Sequence, residues 1–318
     1  MKAITRQRYG SPDLLELREV PRPEPGPHEV LIKVLAAAVN KADWHILRGE
    51  PLPVRLMAGL TRPKYAILGA DIAGIVERVG KEVTQFRPGE AVFGELSATG
   101  FGGFAEYVTT DEQRLARKPS NLSFEQAAAL PMAAVTALQG LRDKGQIQAG
   151  QQVLINGASG GVGSYAVQIA KAYGASVTAV CSTRKKTHAR ELGADQVIDY
   201  KTQDFTRGEA RYDLIFDVVG NHGIAALSGV LRRPGTYVTT TFSMGALTLG
   251  PWKALTTGQR FHNLLAATNP ADLQHLAKLA EEEQIRPVIQ QAFTLDDVPE
   301  ALRLMGQGSL TGKLVITV

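Results

Sequence analysis

Hydrophobic positions come in short bursts through the first third of the chain. Val30-Leu31-Ile32-Lys33-Val34-Leu35, Ile72 to Val79, Ala91 to Gly94 and Phe104 to Val108 each have the length and apolar content of a strand. Gly and Pro punctuate them at Pro21 to Pro27, Gly80 and Pro88-Gly89. Many short strands between such turns predict a barrel-like β domain. The pattern changes near Asn121-Leu122-Ser123. Ser123 and Gln126 have capping-box spacing and open a helical stretch broken at Pro131. From Gln152 the pattern alternates. Strands are expected at Val153 to Ile155, Ser176 to Val180, Val197 to Asp199, Leu214 to Asp217 and Tyr237 to Thr240. Helices are expected at Val162 to Tyr173 and Lys186 to Leu192. Such alternation predicts a parallel sheet with crossover helices. Pro270 to Gln284 reads as an amphipathic helix. After Arg286-Pro287 the chain returns to β character, and Leu314 to Val318 is a last strand expected to rejoin the first domain.

Composition narrows the class. The chain has 318 residues, room for about two domains at roughly 150 residues each. A net charge of +4, spread along the chain, is too mild to point to a nucleic-acid partner or an acidic membrane surface. Cys181 is the one cysteine, so neither an intramolecular disulfide nor a cysteine-rich zinc site is expected. Met1 to Arg8 lacks the apolar core of a signal peptide. The apolar stretch Ala127 to Leu138 is far shorter than the roughly 20 residues of a membrane span. These features predict a cytoplasmic protein with no membrane partner. The six histidines form no cluster at metal spacing.

The segment Gly157-Ala158-Ser159-Gly160-Gly161-Val162-Gly163 follows a short apolar strand and opens a helix. A helix N-terminus offers free N–H groups and a positive dipole end to a pyrophosphate, and small residues let the backbone approach it. In a repeated β/α pattern this predicts a dinucleotide site of Rossmann type, with Ser159, Gly160, Gly161 and Val162 as contacts. NAD-binding domains place an Asp or Glu at the end of the second strand for the ribose hydroxyls. Here that segment reads Cys181-Ser182-Thr183-Arg184-Lys185-Lys186, with no carboxylate. Hydroxyls and cations suit a 2′-phosphate, so NADPH is the expected cofactor. Ser182 and Arg184 lead as contacts, with Thr183 and Lys185 beside them, and Lys186 is expected to face solvent. Val219-Gly220-Asn221 and Thr241-Phe242-Ser243 follow later strands, at the carboxyl edge where open α/β sheets bind ligands.

Several segments together carry a resemblance: Val39-Asn40-Lys41-Ala42-Asp43, Leu68-Gly69-Ala70-Asp71-Ile72-Ala73-Gly74, Gly103 to Val108, Ala129-Leu130-Pro131, Thr136-Ala137, the glycine loop and Gly312-Lys313-Leu314-Val315-Ile316. The chain resembles the zinc-free quinone oxidoreductase branch of the medium-chain dehydrogenases/reductases over essentially its whole length. That resemblance implies an α/β fold: a GroES-like β-barrel domain over 1–122, completed by 287–318, and a Rossmann doubly wound parallel-sheet domain over 123–286. It also implies cofactor roles for Thr136, Tyr200 and Lys313. Where the family's zinc enzymes carry ligands, this chain has Asn40, Ala70 and Met132, which are not the His, Cys or carboxylate groups that catalytic zinc requires. No metal is therefore expected.

Without a metal, hydride must go to an acceptor that is already electron-poor. NADPH-dependent reduction of quinones is the leading expectation. Reduction of the carbon–carbon double bond of enals or enones is the alternative, and the two differ in a pocket shaped by residues around Pro51 to Lys64. A binding protein with little turnover is a third reading, because no general acid is evident. Asn40 and Asp43 are the candidate catalytic residues. Asn40 is the first choice for a polar group near the nicotinamide ribose or carbonyl, with a turn cap as the lesser alternative. Asp43 equally suits orienting the cofactor or starting a helix. Trp44 and Tyr65 either line a quinone slot or belong to the core. The resemblance implies a homodimer, and the apolar segment Met244 to Trp252 is the expected contact.

Overall fold

Two strands, β1 (Lys2–Thr5) and β2 (Glu16–Glu19), pair antiparallel at the start of the computed structural model, which describes all 318 residues. The long strand β3 (Glu29–Val39) follows, then helices α1 (Lys41–Arg48) and α2 (Val54–Ala58). Strands β4 (Asp71–Val79), β5 (Ala91–Glu95), β6 (Tyr107–Asp111) and β7 (Leu115–Arg117) come next. β3 is almost wholly buried because it pairs along both edges. β4 lies antiparallel on one side, and β6 pairs with its first half on the other. The strand expected at Phe104 to Val108 runs instead from Tyr107 to Asp111. Phe104 and Ala105 are drawn to β1, where Ile4 N–H bonds the Phe104 carbonyl at 2.9 Å.

Helices α3 (Phe124–Ala128) and α4 (Pro131–Leu138) form where the sequence puts a helical stretch broken at Pro131. The expected capping box is present. Gln126 N–H donates to Ser123 Oγ at 3.2 Å, and Ser123 N–H donates to Gln126 Oε1 at 2.9 Å.

The alternating segment then folds as β8 (Gln152–Asn156), α5 (Gly161–Ala172), β9 (Ser176–Cys181), α6 (Lys186–Glu191) and β10 (Gln196–Asp199). It continues with β11 (Tyr212–Asp217), α7 (Ile224–Val230), β12 (Leu231–Thr239), α8 (Met244–Thr248), α9 (Gly250–Thr257) and β13 (Gln259–Asn263). The six strands are all parallel, in the order β10-β9-β8-β11-β12-β13. This is the doubly wound Rossmann order, and it reverses between β8 and β11, where such sheets bind ligands at their carboxyl edge. Leu154, Ile215, Tyr237 and Phe261 are buried in this sheet's core.

The chain ends with α10 (Pro270–Glu281), β14 (Ile289–Thr294), α11 (Val298–Gln307) and β15 (Lys313–Thr317). β15 lies between β14, which it meets parallel, and β3, which it meets antiparallel. The resulting sheet runs β14-β15-β3-β4-β5-β7. The last strand thus rejoins the first strands, as the sequence predicts.

The chain divides into two units. Unit 1 is Met1–Met132, Thr268–Glu282 and Pro287–Val318, and unit 2 is Ala133–Ala267 with Glu283–Arg286. This differs from the expected division of 1–122 with 287–318 against 123–286. The helices α3 and α10 read as part of the α/β segment, yet they pack on the first unit's strands. α3 lies on β3 and β4, and α10 on β7. Asn121 Nδ2 donates to the Ala280 carbonyl at 2.9 Å, and Arg114 Nη1 to the Thr268 carbonyl at 3.0 Å.

Candidate active site

In unit 2 the loop from Gly157 to Gly163 joins β8 to α5. Gly157 has φ +84°, a backbone conformation that L side chains rarely adopt. A Cβ on Gly163 would lie 2.0 Å from the Gly157 carbonyl oxygen, so only glycine lets α5 close onto its own loop. The N–H groups of Gly157 and Ala158 are held by the Val180 carbonyl at 3.2 and 3.1 Å. Gly160 is the N-cap of α5 and supplies no side-chain cap. The first-turn N–H groups, those of Gly161 and Val162 among them, therefore lack the partner a Ser or Asp cap would give. An uncapped helix N-terminus behind a glycine turn, with Ser159 6% exposed beside it, fits a dinucleotide pyrophosphate.

At the end of β9, Ser182 precedes a single 3-10 turn over Thr183–Lys185. Thr183 and Arg184 are exposed, and Ser182 and Lys185 half-buried. Burial lowers the Lys185 pKa from its ordinary value. One carboxylate that the sequence reasoning missed stands close by. Asp199 ends β10, pairs in register with Cys181 and is 5% exposed. The Thr183 hydroxyl donates to it and holds its carboxyl below the usual range. Lys201 N–H adds a 3.0 Å bond. Thr183 is thus turned toward Asp199, and Ser182, Arg184 and Lys185 are the other polar side chains of this turn. The adjacent Tyr200 is 56% exposed.

The sheet's reversal point carries a second feature the sequence reading did not single out. Asn156 ends β8 and Asp217 ends β11, directly opposite in register. Asn156 Nδ2 donates to Asp217 Oδ1 at 2.9 Å and to Asn221 Oδ1 at 3.0 Å. Asp217, fully buried, also accepts from Val219 and Gly220 N–H, each at 2.9 Å, and from Tyr237 Oη at 3.0 Å. Desolvation, reinforced by the Asp217 charge, raises the Tyr237 pKa and keeps that phenol a donor. One carboxylate therefore shapes the Val219-Gly220 turn. Its signal in the sequence is an Asp at a strand end two residues before Val219.

The turn also meets the end of β12. Gly220 has φ +71°, and a Cβ there would lie 1.9 Å from Thr241 Oγ1. Thr241 Oγ1 is 2.9 Å from Thr239 Oγ1. Val219 is 47% and Phe242 73% exposed, so both offer surface at this edge. Ser243 caps α8 by accepting from Ala246 N–H at 3.3 Å. Its backbone is clamped on both sides by Asn263, at 2.7 and 3.0 Å. Thr136 lies half-buried on α4.

Unit 1 holds the remaining candidates in one buried polar network. Asn40 follows β3 and is the N-cap of α1. Its Oδ1 accepts from Lys313 Nζ at 2.5 Å, and its Nδ2 donates to Asp71 Oδ2 at 3.0 Å. Lys313 Nζ is 3.4 Å from the same Asp71 oxygen. Asp71 Oδ1 accepts from Met132 N–H at 3.0 Å. Asp71 is fully buried and Lys313 3% exposed. Burial pushes Asp71 up to about 6, against the pull of the Lys313 ammonium. Asp71 lay within a segment noted for resemblance but was not expected as a site residue.

Asp43 sits deeper in the same region. Its Oδ2 accepts from Asn40 N–H at 2.8 Å and its Oδ1 from Gly69 N–H at 3.0 Å. It is 0% exposed, and burial raises its pKa to about 7. Both oxygens are committed to backbone, so Asp43 ties α1 to the turn before β4. That geometry fits the helix-start alternative for Asp43. Asn40 likewise spends its amide on Lys313 and Asp71.

The three positions that resemblance equates with zinc ligands surround Asp71. Asn40 and Met132 bond it, and Ala70 precedes it. No group of three or more His, Cys, Asp or Glu side chains is arranged to hold a metal ion. Trp44 belongs to the core: a Cβ on Gly306 would meet its ring at 2.4 Å, so α1 and α11 pack closely there. Tyr65 packs against Phe101 with ring centroids 5.2 Å apart.

Comparison with known proteins finds two family models along the chain. Residues 26–120 match the alcohol dehydrogenase GroES-like domain, and residues 192–316 match a model described as zinc-binding dehydrogenase. The 2-methylene-furan-3-one reductase of Solanum lycopersicum is 36% identical over 327 residues, 99% of this chain and 79% of that protein. The chloroplastic quinone-oxidoreductase homolog of Spinacia oleracea is 34% identical over 330 residues, covering 99% and 98%. Among solved structures, the quinone oxidoreductase from Coxiella burnetii has a TM-score of 0.89 at 33% identity, covering 100% of this chain and 99% of that one. The fold class is the one the sequence predicts, a GroES-like domain with a Rossmann-type parallel-sheet domain. With similarity of this degree along its whole length, the chain is an oxidoreductase of the medium-chain dehydrogenase/reductase family, in its quinone oxidoreductase branch.

Proposed function

We propose that this protein is an NADPH-dependent, zinc-independent reductase of quinones. The observation that carries the cofactor choice is the turn after β9. Its exposed Arg184 stands with Ser182 and Lys185, while the one nearby carboxylate, Asp199, is occupied by Thr183 and Lys201 N–H. A guanidinium beside hydroxyls recognises a phosphate through charge-assisted bonds. The uncapped start of α5 takes the pyrophosphate, and the Asp217-braced turn at Val219-Gly220 positions the nicotinamide end.

When bound, the reduced nicotinamide supplies a hydride. With Asn40, Ala70 and Met132 where ligands would be needed, the chain offers no metal to polarise a carbonyl. The acceptor must bring its own electrophilicity, as a quinone or conjugated carbonyl does. The second reading is reduction of the double bond of enals or enones, and the tomato relative supports it, since its name describes a methylene conjugated to a ring ketone. Membership in an oxidoreductase family weighs against a binding protein without turnover. We also read the protein as a cytoplasmic homodimer, supported by the exposed apolar residues of α8 and α9 beside the edge strand β13.

The test follows NADPH and NADH oxidation with 1,4-benzoquinone, 9,10-phenanthrenequinone, acrolein and a trans-2-alkenal. Quinone turnover above alkenal turnover supports the first reading, and the reverse order the second. Inactivity on every acceptor with NADPH still bound overturns both. Arg184→Ala is expected to lower the NADPH-over-NADH preference about tenfold, the value of one charge-assisted bond. An unchanged preference overturns the cofactor assignment.

A further inference from the structure

Unit 1 exposes its large apolar side chains in one place. Leu52 is 73% exposed, Leu56 and Met57 75% each, and Leu60 66%. The unit's other exposed large hydrophobic, Leu17, is 40% exposed and far off in sequence. Single exposed leucines are ordinary, but a contiguous group marks a surface with a partner. Leu52, Leu56 and Leu60 line a shallow hollow of about 360 Å³ together with Pro53 and Arg55.

This segment is held in place. Tyr9 Oη donates to the carbonyls of Ala58 and Gly59 at 2.7 and 2.5 Å. Arg55 Nε bonds the Gly49 carbonyl at 3.1 Å, and its guanidinium lies 4.7 Å from the Tyr9 ring centroid. Ala58 is fully buried. The anchored face is thus the Arg55–Ala58 side, which leaves Leu56, Met57 and Leu60 projecting outward.

We infer that this surface docks on an anionic lipid bilayer. Two features favour lipid over protein. From Pro51 to Leu60, Arg55 is the one residue with a polar side chain, whereas a specific protein interface carries about one hydrogen bond per 100–200 Å². The backbone of the helical turn from Val54 to Gly59 is also paired internally, as entry into an apolar interface requires. Val54, Arg55 and Leu56 N–H bond the carbonyls of Pro51, Leu52 and Pro53. Gly59 N–H bonds Arg55, and Lys64 N–H bonds Ala58. Pro51 and Pro53 have no N–H to satisfy. The flanking charge is complementary to an acidic membrane: Arg48, Arg55, Arg62 and Lys64 against one acidic residue, Glu50. Arg62 and Lys64 are exposed. Apolar side chains entering the headgroup boundary, with cations at its rim, describe interfacial rather than spanning attachment. No helix here is long and apolar enough to cross a membrane.

The test sediments the full chain with vesicles of phosphatidylglycerol mixed with phosphatidylcholine, and with phosphatidylcholine alone. Cosedimentation with the mixed vesicles, weakened by salt, is expected. Leu56→Ser/Met57→Ser should weaken it about tenfold or more, since two apolar side chains that would enter the bilayer are lost. Arg62→Glu/Lys64→Glu should abolish the preference for the anionic lipid. Thermal melting checks that each variant is folded. Failure of the wild-type chain to bind either vesicle overturns the inference. So does a variant that binds vesicles normally but loses turnover of alkenals, which would assign the patch to the substrate. A mass in solution that falls from dimer to monomer in Leu56→Ser/Met57→Ser also overturns it, because a second copy would then cover the surface.

Discussion

Lys313 Nζ lies 2.5 Å from Asn40 Oδ1, although 273 residues separate the two. The contact exists because β15 is laid beside β3, which brings the start of one strand to the end of the other. Asp71 completes the set from β4. An ammonium this deeply buried needs its counter-charge. Asp71→Ala is expected to cost about 3–5 kcal/mol of stability, the usual penalty for stranding one member of a buried pair. Adding Lys313→Met should recover part of that loss. Urea unfolding of the two single variants and the double variant measures the coupling. Simple additivity would show that the pair is not acting as one.

Asp43 gives a pH signature. Its folded pKa of about 7 lies above the ordinary 3.8. The folded state therefore holds this proton more tightly than the unfolded chain does. The stability the group contributes is complete below pH 3.8 and is lost as pH rises through about 7. Asp71 has the same sign, with its upper limit near 6. The destabilisation caused by Asp43→Ser should thus shrink between about pH 5 and pH 8. Melting curves of wild type and variant across that range check the sign, and a cost that grows with pH would contradict it.

Gly163→Ala should damage the cofactor site. The added Cβ would stand 2.0 Å from the Gly157 carbonyl oxygen, so α5 or its loop must move. Overpacking of this kind costs about 1–3 kcal/mol. NADPH affinity is expected to fall about tenfold or more, since one tenfold step is 1.4 kcal/mol. Fluorescence titration reads this directly.

Asp217→Ala removes the acceptor of four hydrogen bonds at the sheet's reversal point. Orphaned buried donors cost about 1–3 kcal/mol each. The Val219-Gly220 turn should loosen, raising KM for the cofactor more than it lowers kcat at saturation. Steady-state kinetics separates the two, and an unchanged KM would deny the turn its positioning role.

Much of this was readable in advance. Gly157 to Gly163 announced itself because glycine, strand end and helix start coincide over a few residues. Ser123 and Gln126 did so for the same local reason. Asp71 and Asp217 were not evident, because each gains its meaning from partners distant in sequence: Lys313 for one, Asn156 and Tyr237 for the other. Strand β13, Gln259-Arg260-Phe261-His262-Asn263, escaped notice because an edge strand need not be apolar. The amphipathic pattern of α10 tells which face is buried but not against what, and α3 is too short to tell either. That is why the observed units differ from the expected boundaries at 122 and 286.

The proposed dimer rests on Met244, Leu247, Leu249, Trp252 and Leu255, all at least 50% exposed on or between α8 and α9. Leu247→Ser/Trp252→Ser is expected to turn a dimer into a monomer. Light scattering across a dilution series checks it, and a wild-type monomer at every concentration would dismiss the contact.

The placement of β15 has a consequence for how the chain comes off the ribosome. Unit 2 lies almost wholly within one stretch, Ala133–Ala267, and its sheet needs no residue beyond Asn263. Unit 1 begins first, but Ala36–Val39 of β3 lack their neighbour on one edge until residues 313–317 have been synthesised. Its early strands emerge with half of one β3 edge unpaired, and that half waits while the whole of the second sheet is made. The later-encoded unit is thus equipped to fold before the earlier one. The exposed edge of β3 during that interval is where a chaperone, or a wrong strand, would find its opening.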